Sequence, residues 1–323
     1  MTTPVQIAKD IYVIDSQDGG RLERTSIYVI KREKIAIIDT CTSKSVPAIL
    51  AGLEALHIAP EAVDYVILTH VHLDHAGGAG LLLQSLPNAH VYVHPKGARH
   101  IIDPTRLIES ARSVYGEKFD AFFDPIVPIP EQRVTLAEHK TRIPFGEAAL
   151  VLYDTPGHAR HHISIYDEAT NSMFIGDTAG VQFPAITRTG YELVLPSTSP
   201  NQYNPDEMEQ SMQFYERLAL QDVFLGHYAA APSPQQAFSQ VRYWTPIWLA
   251  LAEDAMQKEE AVRVDKLSHA ILHVLEEDAK KHGYTGDLKS YVWDDVVVSS
   301  QGLIDYYQKK WRIVKHFNEY KKQ

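Results

Sequence analysis

Three histidines and one aspartate stand within six residues, directly after a short apolar stretch, and this run constrains the fold more than any other feature. The segment THVHLDH spans residues 69–75 and follows the nearly all-apolar residues 63–68. Its candidate metal ligands are His70, His72, Asp74 and His75. Alternation along a strand places the first two histidines on one side, and the turn into a following helix can bring the other two ligands beside them. Imidazole and carboxylate suit zinc, iron or manganese, so the run predicts a metal site where a buried strand ends.

Three later segments each place one more candidate ligand just past an apolar strand. His158 ends the segment DTPGH, Asp177 ends IGD, and His227 ends LGH. Any one of these residues taken alone is more often a surface or capping residue. Because connections at one edge of a layered sheet can present several side chains to the same site, we expect all three to join the first four ligands.

The order of the elements predicts a layered α/β domain followed by a helical region. Residues 11–15, 26–30 and 34–39 have the β-branched pattern of hairpin strands, and an apolar helix is expected at 46–56. Further strands are expected in short apolar segments at residues 63–68, 90–94, 148–153, 163–166, 172–175 and 223–225. Helices are expected at residues 76–85, 204–220, 235–257, 264–282 and 302–320, with a brief strand signal at 293–298. We therefore predict a catalytic domain over 1–234 and a helical C-terminal region over 235–323.

Composition and charge limit the classes of function. The only cysteine is Cys41, the first residues lack a signal-peptide pattern, and no long apolar run is present, so we expect a soluble cytoplasmic protein without membrane contact. Residues 1–234 carry 18 basic and 28 acidic side chains, whereas residues 235–323 carry thirteen of each. Because nucleic-acid enzymes usually present a basic face, we expect a small-molecule substrate rather than a polynucleotide. The oligomeric state is left open.

The seven candidate ligands occur in the chain order that is the signature of the metallo-β-lactamase superfamily, which residues 8–230 resemble. The resemblance implies an αββα sandwich with two divalent metal ions, zinc being expected and iron or manganese also suitable. It assigns His70, His72 and His158 to one metal. It assigns the second metal to Asp74, His75 and His227, with Asp177 bridging the two metals.

Within the superfamily the ligand layout is most similar to glyoxalase II hydrolases, in which TPGH is followed three residues later by Gly-His. Here the segment reads HARHH, so His161 replaces the glycine, and His162 is expected near the metals as a hydrogen-bond donor outside the ligand set, with a surface histidine as the alternative. Asp39 matches the family aspartate that orients a ligand histidine. We expect His94, His100, His139 and His161 to be structural or exposed.

Two cations about 3.5 to 4 Å apart can share a water and lower its pKa toward neutrality, which supplies a bridging hydroxide as nucleophile. Asp74 could also accept a proton from that water. The resemblance and the ligand count therefore imply a hydrolase of a small ester, thioester or lactone. Two alternatives remain: an iron-dependent oxidoreductase similar to the persulfide dioxygenases, and a non-enzymatic metal-binding interaction module.

Residues 178–200 follow the predicted bridging ligand and have no strong helix or strand pattern. Such a segment beside a metal site is a candidate substrate-facing wall. We expect Phe183, Arg188 and Tyr191 to be its exposed side chains, with an ordinary surface loop as the alternative.

Overall fold

Two β-sheets packed face to face form the centre of the molecule. The computed structural model describes residues 3–231 and 233–320, with side chains described as far as Arg312. The first sheet has the strand order β1-β2-β3-β4-β5-β6-β7, antiparallel from β1 to β4 and parallel from β4 to β7. Its strands are β1 (Val5–Ala8), β2 (Ile11–Asp15), β3 (Ser26–Lys31), β4 (Ile35–Ile38), β5 (Tyr65–Ile67), β6 (His90–Val93) and β7 (Val134–Leu136).

The second sheet is mostly antiparallel. Its strands are β8 (Thr141–Phe145), β9 (Ala148–Asp154), β10 (Ile163–Asp167), β11 (Ser172–Gln182), β12 (Val194–Leu195), β13 (Asp222–His227) and β14 (Ala229–Ala230). The order is β14-β13-β11-β10-β9-β8, with β12 paired to the far end of β11. The pair β11 and β13 is parallel, so the C-terminal ends of these two strands lie at the same edge.

Helices cover the outer faces of both sheets. They are α1 (Val46–Ala55), α2 (Leu73–Ala76), α3 (Ala79–Leu82), α4 (Pro95–Ile102), α5 (Thr105–Tyr115), α6 (Phe119–Phe123), α7 (Pro184–Thr187), α8 (Pro205–Arg217), α9 (Pro234–Ala255), α10 (Arg263–Lys281) and α11 (Leu288–Tyr320). Short 3-10 turns lie at Asp18–Gly20, Ser43–Ser45, Pro60–Ala62, Gly116–Lys118, Glu131–Arg133 and Glu260–Val262. None of the helices within the described residues is long and apolar enough to cross a membrane.

Each layer boundary has its own apolar core. The facing sides of the two sheets bury residues such as Tyr28, Phe174 and Phe224, whose rings pack at centroid distances of 4.9 to 5.7 Å. The outer face of the first sheet packs on α1. The outer face of the second sheet shares a cluster with α8, α9, α10 and α11. The αββα sandwich with a helical C-terminal region is therefore confirmed.

The division into a domain over 1–234 and a region over 235–323 stays a prediction. The described residues of both parts contribute to one buried cluster, which contains Met173 and Ile175 from β11 together with Trp248 and Leu275 from the helices. Separating the two parts would expose the apolar outer face of the second sheet.

Two local expectations are wrong. The strand expected at 293–298 is part of α11, in which Val292 and Val296, four residues apart, are both fully buried against the second sheet's cluster. Tertiary packing of this face outweighs the β-preference of valine. The single helix expected at 76–85 is two short helices, α2 and α3. They flank Gly78, where a Cβ atom would lie 2.7 Å from the carbonyl oxygen of Thr42.

Candidate metal centre

The seven candidate ligands meet at one edge of the sandwich. Six of them lie at or after the end of a strand, and Asp177 lies inside β11, which continues past this edge. His70 and His72 follow β5, and Asp74 and His75 lie in α2. The other three are His158 after β9, Asp177 within β11 and His227 at the end of β13. The parallel pairing of β11 with β13 brings the last two to the same edge.

Three histidine nitrogens converge on one side of the cluster. His72 Nδ1 lies 3.1 Å from His70 Nε2 and 2.9 Å from His158 Nε2. The three donor atoms all lie within 4.8 Å of one another. Such an arrangement suits a metal ion held by three imidazoles.

Asp74, His75 and His227 form a second group within the same 4.8 Å limit. His75 Nε2 lies 3.2 Å from His227 Nε2 and 3.8 Å from an oxygen of Asp74, and His227 Nε2 lies 3.5 Å from that oxygen. The Asp177 carboxylate stands between the two groups. Its Oδ2 is 3.7 Å from His158 Nε2 in the first group and 3.6 Å from His227 Nε2 in the second.

In four of the candidate ligand histidines, the ring nitrogen that faces away from the cluster is hydrogen-bonded to an acceptor. In each case Nδ1 is the bonded atom, so the network places a proton on Nδ1 and leaves Nε2 as the ring atom that faces the cluster. The acceptors are Thr69 Oγ1 for His70 at 3.0 Å, Asp39 Oδ2 for His75 at 3.0 Å, the Ser197 carbonyl for His158 at 3.1 Å and the Arg24 carbonyl for His227 at 2.9 Å. These four rings are therefore oriented so that each could bind a metal ion through Nε2.

Asp39 and His162 both lie behind the candidate ligands and contact them. Asp39 accepts hydrogen bonds from the backbone and the hydroxyl of Thr69 at 2.8 and 2.7 Å in addition to its contact with His75. His162 lies beside the backbone of Asp177. Its Nε2 accepts from the backbone N–H of Asp177 at 3.3 Å, and its Nδ1 lies near two threonine hydroxyls.

Glycine lets the strand ends approach this closely. A Cβ atom at Gly226 would lie 2.5 Å from Asp177 Oδ1 and 2.6 Å from a carbon of the His75 ring. The residue before His227 must therefore lack a side chain if the two ligand groups are to share Asp177.

The charges and the unsatisfied atoms of the cluster fit bound cations. Asp177 Oδ1 is buried without a hydrogen-bond partner among the described residues. Burial opposes protonation of His227, yet Asp177 and Asp74 raise its pKa to about 10, and Asp177 likewise raises the pKa of His75 above its usual value. Burial and neighbouring imidazoles lower the pKa of His70 and of His72. The second group thus attracts positive charge and the first group presents neutral imidazoles, which is the donor set that divalent metal ions require.

A cavity of about 640 Å³ opens onto the cluster. Asp74, whose side chain is 27% exposed, faces it together with His72, Asp177 and His227. Its walls come from the first residues after β2, from α4 to α6, and from α9 and α11. This volume is in the range of small-molecule sites.

The three side chains predicted to face a substrate do not line this cavity. The expected exposure is wrong for Phe183 and Tyr191, which are 8% and 5% exposed. The C-terminal helices bury Tyr191, whose hydroxyl donates to Asp278 of α10 at 2.8 Å. Arg188 is exposed, but its guanidinium pairs with Glu23 at 2.6 and 2.8 Å.

Sequence reasoning missed His161 as a cavity residue. Its side chain is 5% exposed and lines the cavity, and its ring centre lies 5.6 Å from that of His72. His100 also lines the cavity, whereas His94 caps α4 and His139 accepts a bond from the backbone of Asp154. The signal that could have found His161 is its replacement of a small residue within the ligand segment.

Comparisons with known proteins agree with this geometry. A sequence model described as "Metallo-beta-lactamase superfamily" matches residues 20–227. The metallo-beta-lactamase fold-containing protein ST1585 of Sulfurisphaera tokodaii is 31% identical over 182 residues, which are 55% of this chain and 63% of that protein. A hydroxyacylglutathione hydrolase of a Synechococcus strain is 32% identical over 44% of this chain and 43% of the relative. The matches therefore span less than two thirds of the length of these relatives.

Solved structures share the fold over most of the chain. The crystal structure of ST1585 from Sulfolobus tokodaii has a TM-score of 0.64 at 22% identity and covers 91% of this chain and 97% of that one. A metallo-beta-lactamase family protein from Thermus thermophilus, TTHA1429, has a TM-score of 0.67 at 16% identity, with 94% and 95% coverage. With the family match extending over residues 20–227, this chain belongs to the metallo-β-lactamase superfamily.

Proposed function

We propose that the protein is a hydrolase that uses two divalent metal ions and acts on small esters, thioesters or lactones. One observation carries the proposal: two groups of three ligands share the Asp177 carboxylate at the floor of a cavity. The similarity to a protein named hydroxyacylglutathione hydrolase supports a hydrolytic reaction.

His70, His72 and His158 would hold one ion, and Asp74, His75 and His227 the other, with Asp177 shared. Zinc is the ion that we propose first, because three imidazoles, or imidazoles with a carboxylate, are its usual ligands. Bound divalent ions would lower the pKa of a water and polarise the carbonyl of the substrate.

The chain's own residues would prepare and enclose the reaction. The tautomers set by Thr69, Asp39 and the backbone keep the ligand rings oriented without rearrangement. Asp74 is the ligand whose carboxylate is exposed to the cavity, so it is placed to accept a proton from an attacking water. The walls limit the substrate to the size of a small molecule, which disfavours a polynucleotide.

Elemental analysis and a substrate panel test the proposal. Protein purified without added metal and then loaded with zinc, manganese or iron should hold about two ions per chain and should hydrolyse at least one ester, thioester or lactone of the panel. Asp177→Asn should lower this activity by at least about 100-fold, because it weakens both ion sites at once. Asp222→Asn is a matched control, since it removes the same charge from β13 away from the cluster.

Absence of turnover on the whole panel by fully loaded protein would overturn the proposal, as would wild-type activity in Asp177→Asn. Oxygen uptake by the iron-loaded protein with a persulfide, without hydrolysis, would replace the hydrolase by the oxidoreductase alternative.

A further inference from the structure

A group of basic side chains lines one side of the cavity without carboxylate partners. Arg99 and His100 lie in α4 and Arg106 lies in α5, and all three line the cavity. Arg99 donates from Nε to His100 Nε2 at 3.2 Å. Among the described residues, no carboxylate oxygen lies within 4.0 Å of the guanidinium of Arg99 or Arg106. We call Arg99, His100 and Arg106 the α4–α5 basic cluster.

The other charges near the cavity largely cancel. Arg24 makes two hydrogen bonds to Asp295, at 3.0 and 3.1 Å, and lies 3.4 Å from Asp18. Arg21 pairs with Asp294 at 2.8 Å. The remaining acids that line the cavity, Asp74 and Asp177, belong to the metal ligands, whose charge bound cations would offset. Lys118 also lines the cavity, so with the charges of Asp74 and Asp177 offset by cations, the five Arg and Lys side chains of the lining would outnumber the three remaining acids, although the chain carries a formal net charge of -10.

The basic cluster lies on the same side of the cavity as the metal ligands of the first group. His161 lies between the two. Its ring centre is 5.6 Å from that of His72, and it packs against Gly97 of α4, where a Cβ atom would be 3.5 Å from His161 Cβ. His161 and all three residues of the α4–α5 basic cluster line the same cavity. A small molecule at the candidate metal ligands could thus extend to the α4–α5 basic cluster.

An apolar surface continues from this cluster along the cavity. Leu107, Ala111 and Val114 follow one another at helical spacing on α5 and line the cavity. Trp293 and Val297 of α11 also line it. Because these side chains are only partly buried and face the cavity, an apolar portion of a ligand would gain from contact with them.

We propose that the substrate of this site has an apolar body and carries one negatively charged group, a carboxylate or a phosphate, which Arg99 and Arg106 bind. Guanidinium groups form charge-assisted hydrogen bonds with both kinds of anion, so the cluster recognises their shared chemistry. This inference rests on the proposed function, because it names the substrate class of the same site.

Equilibrium binding to the metal-loaded protein tests the inference without requiring turnover. The probes are 4-phenylbutyrate, 2-phenylethyl phosphate and the neutral 4-phenylbutanol, each titrated by calorimetry. We expect at least one anionic probe to bind about tenfold or more tightly than the alcohol, and Arg99→Ala/Arg106→Ala to remove most of that difference. The more tightly bound anion identifies whether a carboxylate or a phosphate is preferred.

Arg112→Ala is the matched control, because it removes the same charge from α5 at a residue that pairs with Asp120 and does not line the cavity. It should leave the binding of all probes unchanged, and the double variant should keep its affinity for the alcohol and its metal content. Anions that bind no tighter than the alcohol, or that bind the double variant as they bind the wild type, would overturn the inference. Loss of hydrolysis with intact anion binding would instead count against the proposed function alone.

Discussion

Asp39→Asn tests whether a buried carboxylate behind the ligands sets the metal affinity. Asp39 is 2% exposed and receives three hydrogen bonds, from the backbone and hydroxyl of Thr69 and from His75 Nδ1. Its φ angle is 58°, a left-handed conformation that asparagine adopts more easily than most residues. Asparagine therefore preserves shape and backbone while it replaces one acceptor oxygen by a donor.

Either orientation of the new amide leaves a conflict. If its NH₂ faces the backbone N–H of Thr69, two donors oppose each other in a buried place. If it faces His75 Nδ1, the ring must move its proton to Nε2, the atom that faces Asp177 at 3.3 Å. A buried donor without a partner costs about 1–3 kcal/mol. Removal of such an outer partner typically lowers metal affinity about 10- to 100-fold.

The assay is competition for zinc between the protein and a chromophoric chelator, together with urea unfolding of the metal-free protein. We expect zinc affinity to fall about 10- to 100-fold and the free energy of unfolding to fall by about 1–3 kcal/mol. Asp64→Asn is the control, because Asp64 accepts from Lys34 and from the backbone of Ile35 on the same sheet, away from the cluster. Wild-type zinc affinity in Asp39→Asn would refute the assigned role.

Four further predictions concern the candidate ligands and their surroundings. Arg24→Ala should lower the free energy of unfolding by about 1–3 kcal/mol, because it removes two hydrogen bonds to Asp295. A double-mutant cycle with Asp295→Ala, measured by urea unfolding, should show coupling between the two side chains, and additive effects would contradict this prediction. His161→Gly should retain its metal by elemental analysis but change KM for a hydrolysed substrate, so loss of metal would argue against a role in the cavity. Burial lowers the pKa values of His75 and His227, but the neighbouring carboxylates raise both, that of His227 to about 10. The metal-free protein should therefore lose stability as the pH rises from about 6.5 to 10. Zinc binding at pH 8 should accordingly release protons, measured by calorimetry in buffers of different ionisation enthalpy; a heat that is independent of buffer would exclude this.

The residues that meet at the metal cluster were predictable because their signal is local. His70, His72, Asp74 and His75 follow one strand within six residues, and the other ligands each follow an apolar strand at a tight turn. The superfamily and the αββα sandwich were predicted from the resemblance and are confirmed. The metal ligand assignments stay predictions, although the structure brings all seven residues together.

The walls of the cavity could not be predicted in the same way. Residues 95–147 have no pattern that predicts an element, yet they form α4, α5 and α6. These helices supply the α4–α5 basic cluster and much of the apolar surface of the cavity. Phe183 and Tyr191 looked exposed because their segment has no regular pattern, yet tertiary contacts bury them. Whether such a side chain faces solvent depends on helices encoded far away in the chain.

The sequence alone identified seven candidate metal ligands that follow strands, because covalent spacing and strand alternation limit where neighbouring side chains can point. Only the tertiary structure decided that Asp177 stands between two ligand groups, that His161 faces the cavity, and that α4, α5 and α11 enclose it. Such relations can join residues that are far apart in the chain, as Asp295 with Arg24, 271 residues away. They arise from how the layers pack against each other, and no spacing within a single segment contains that information.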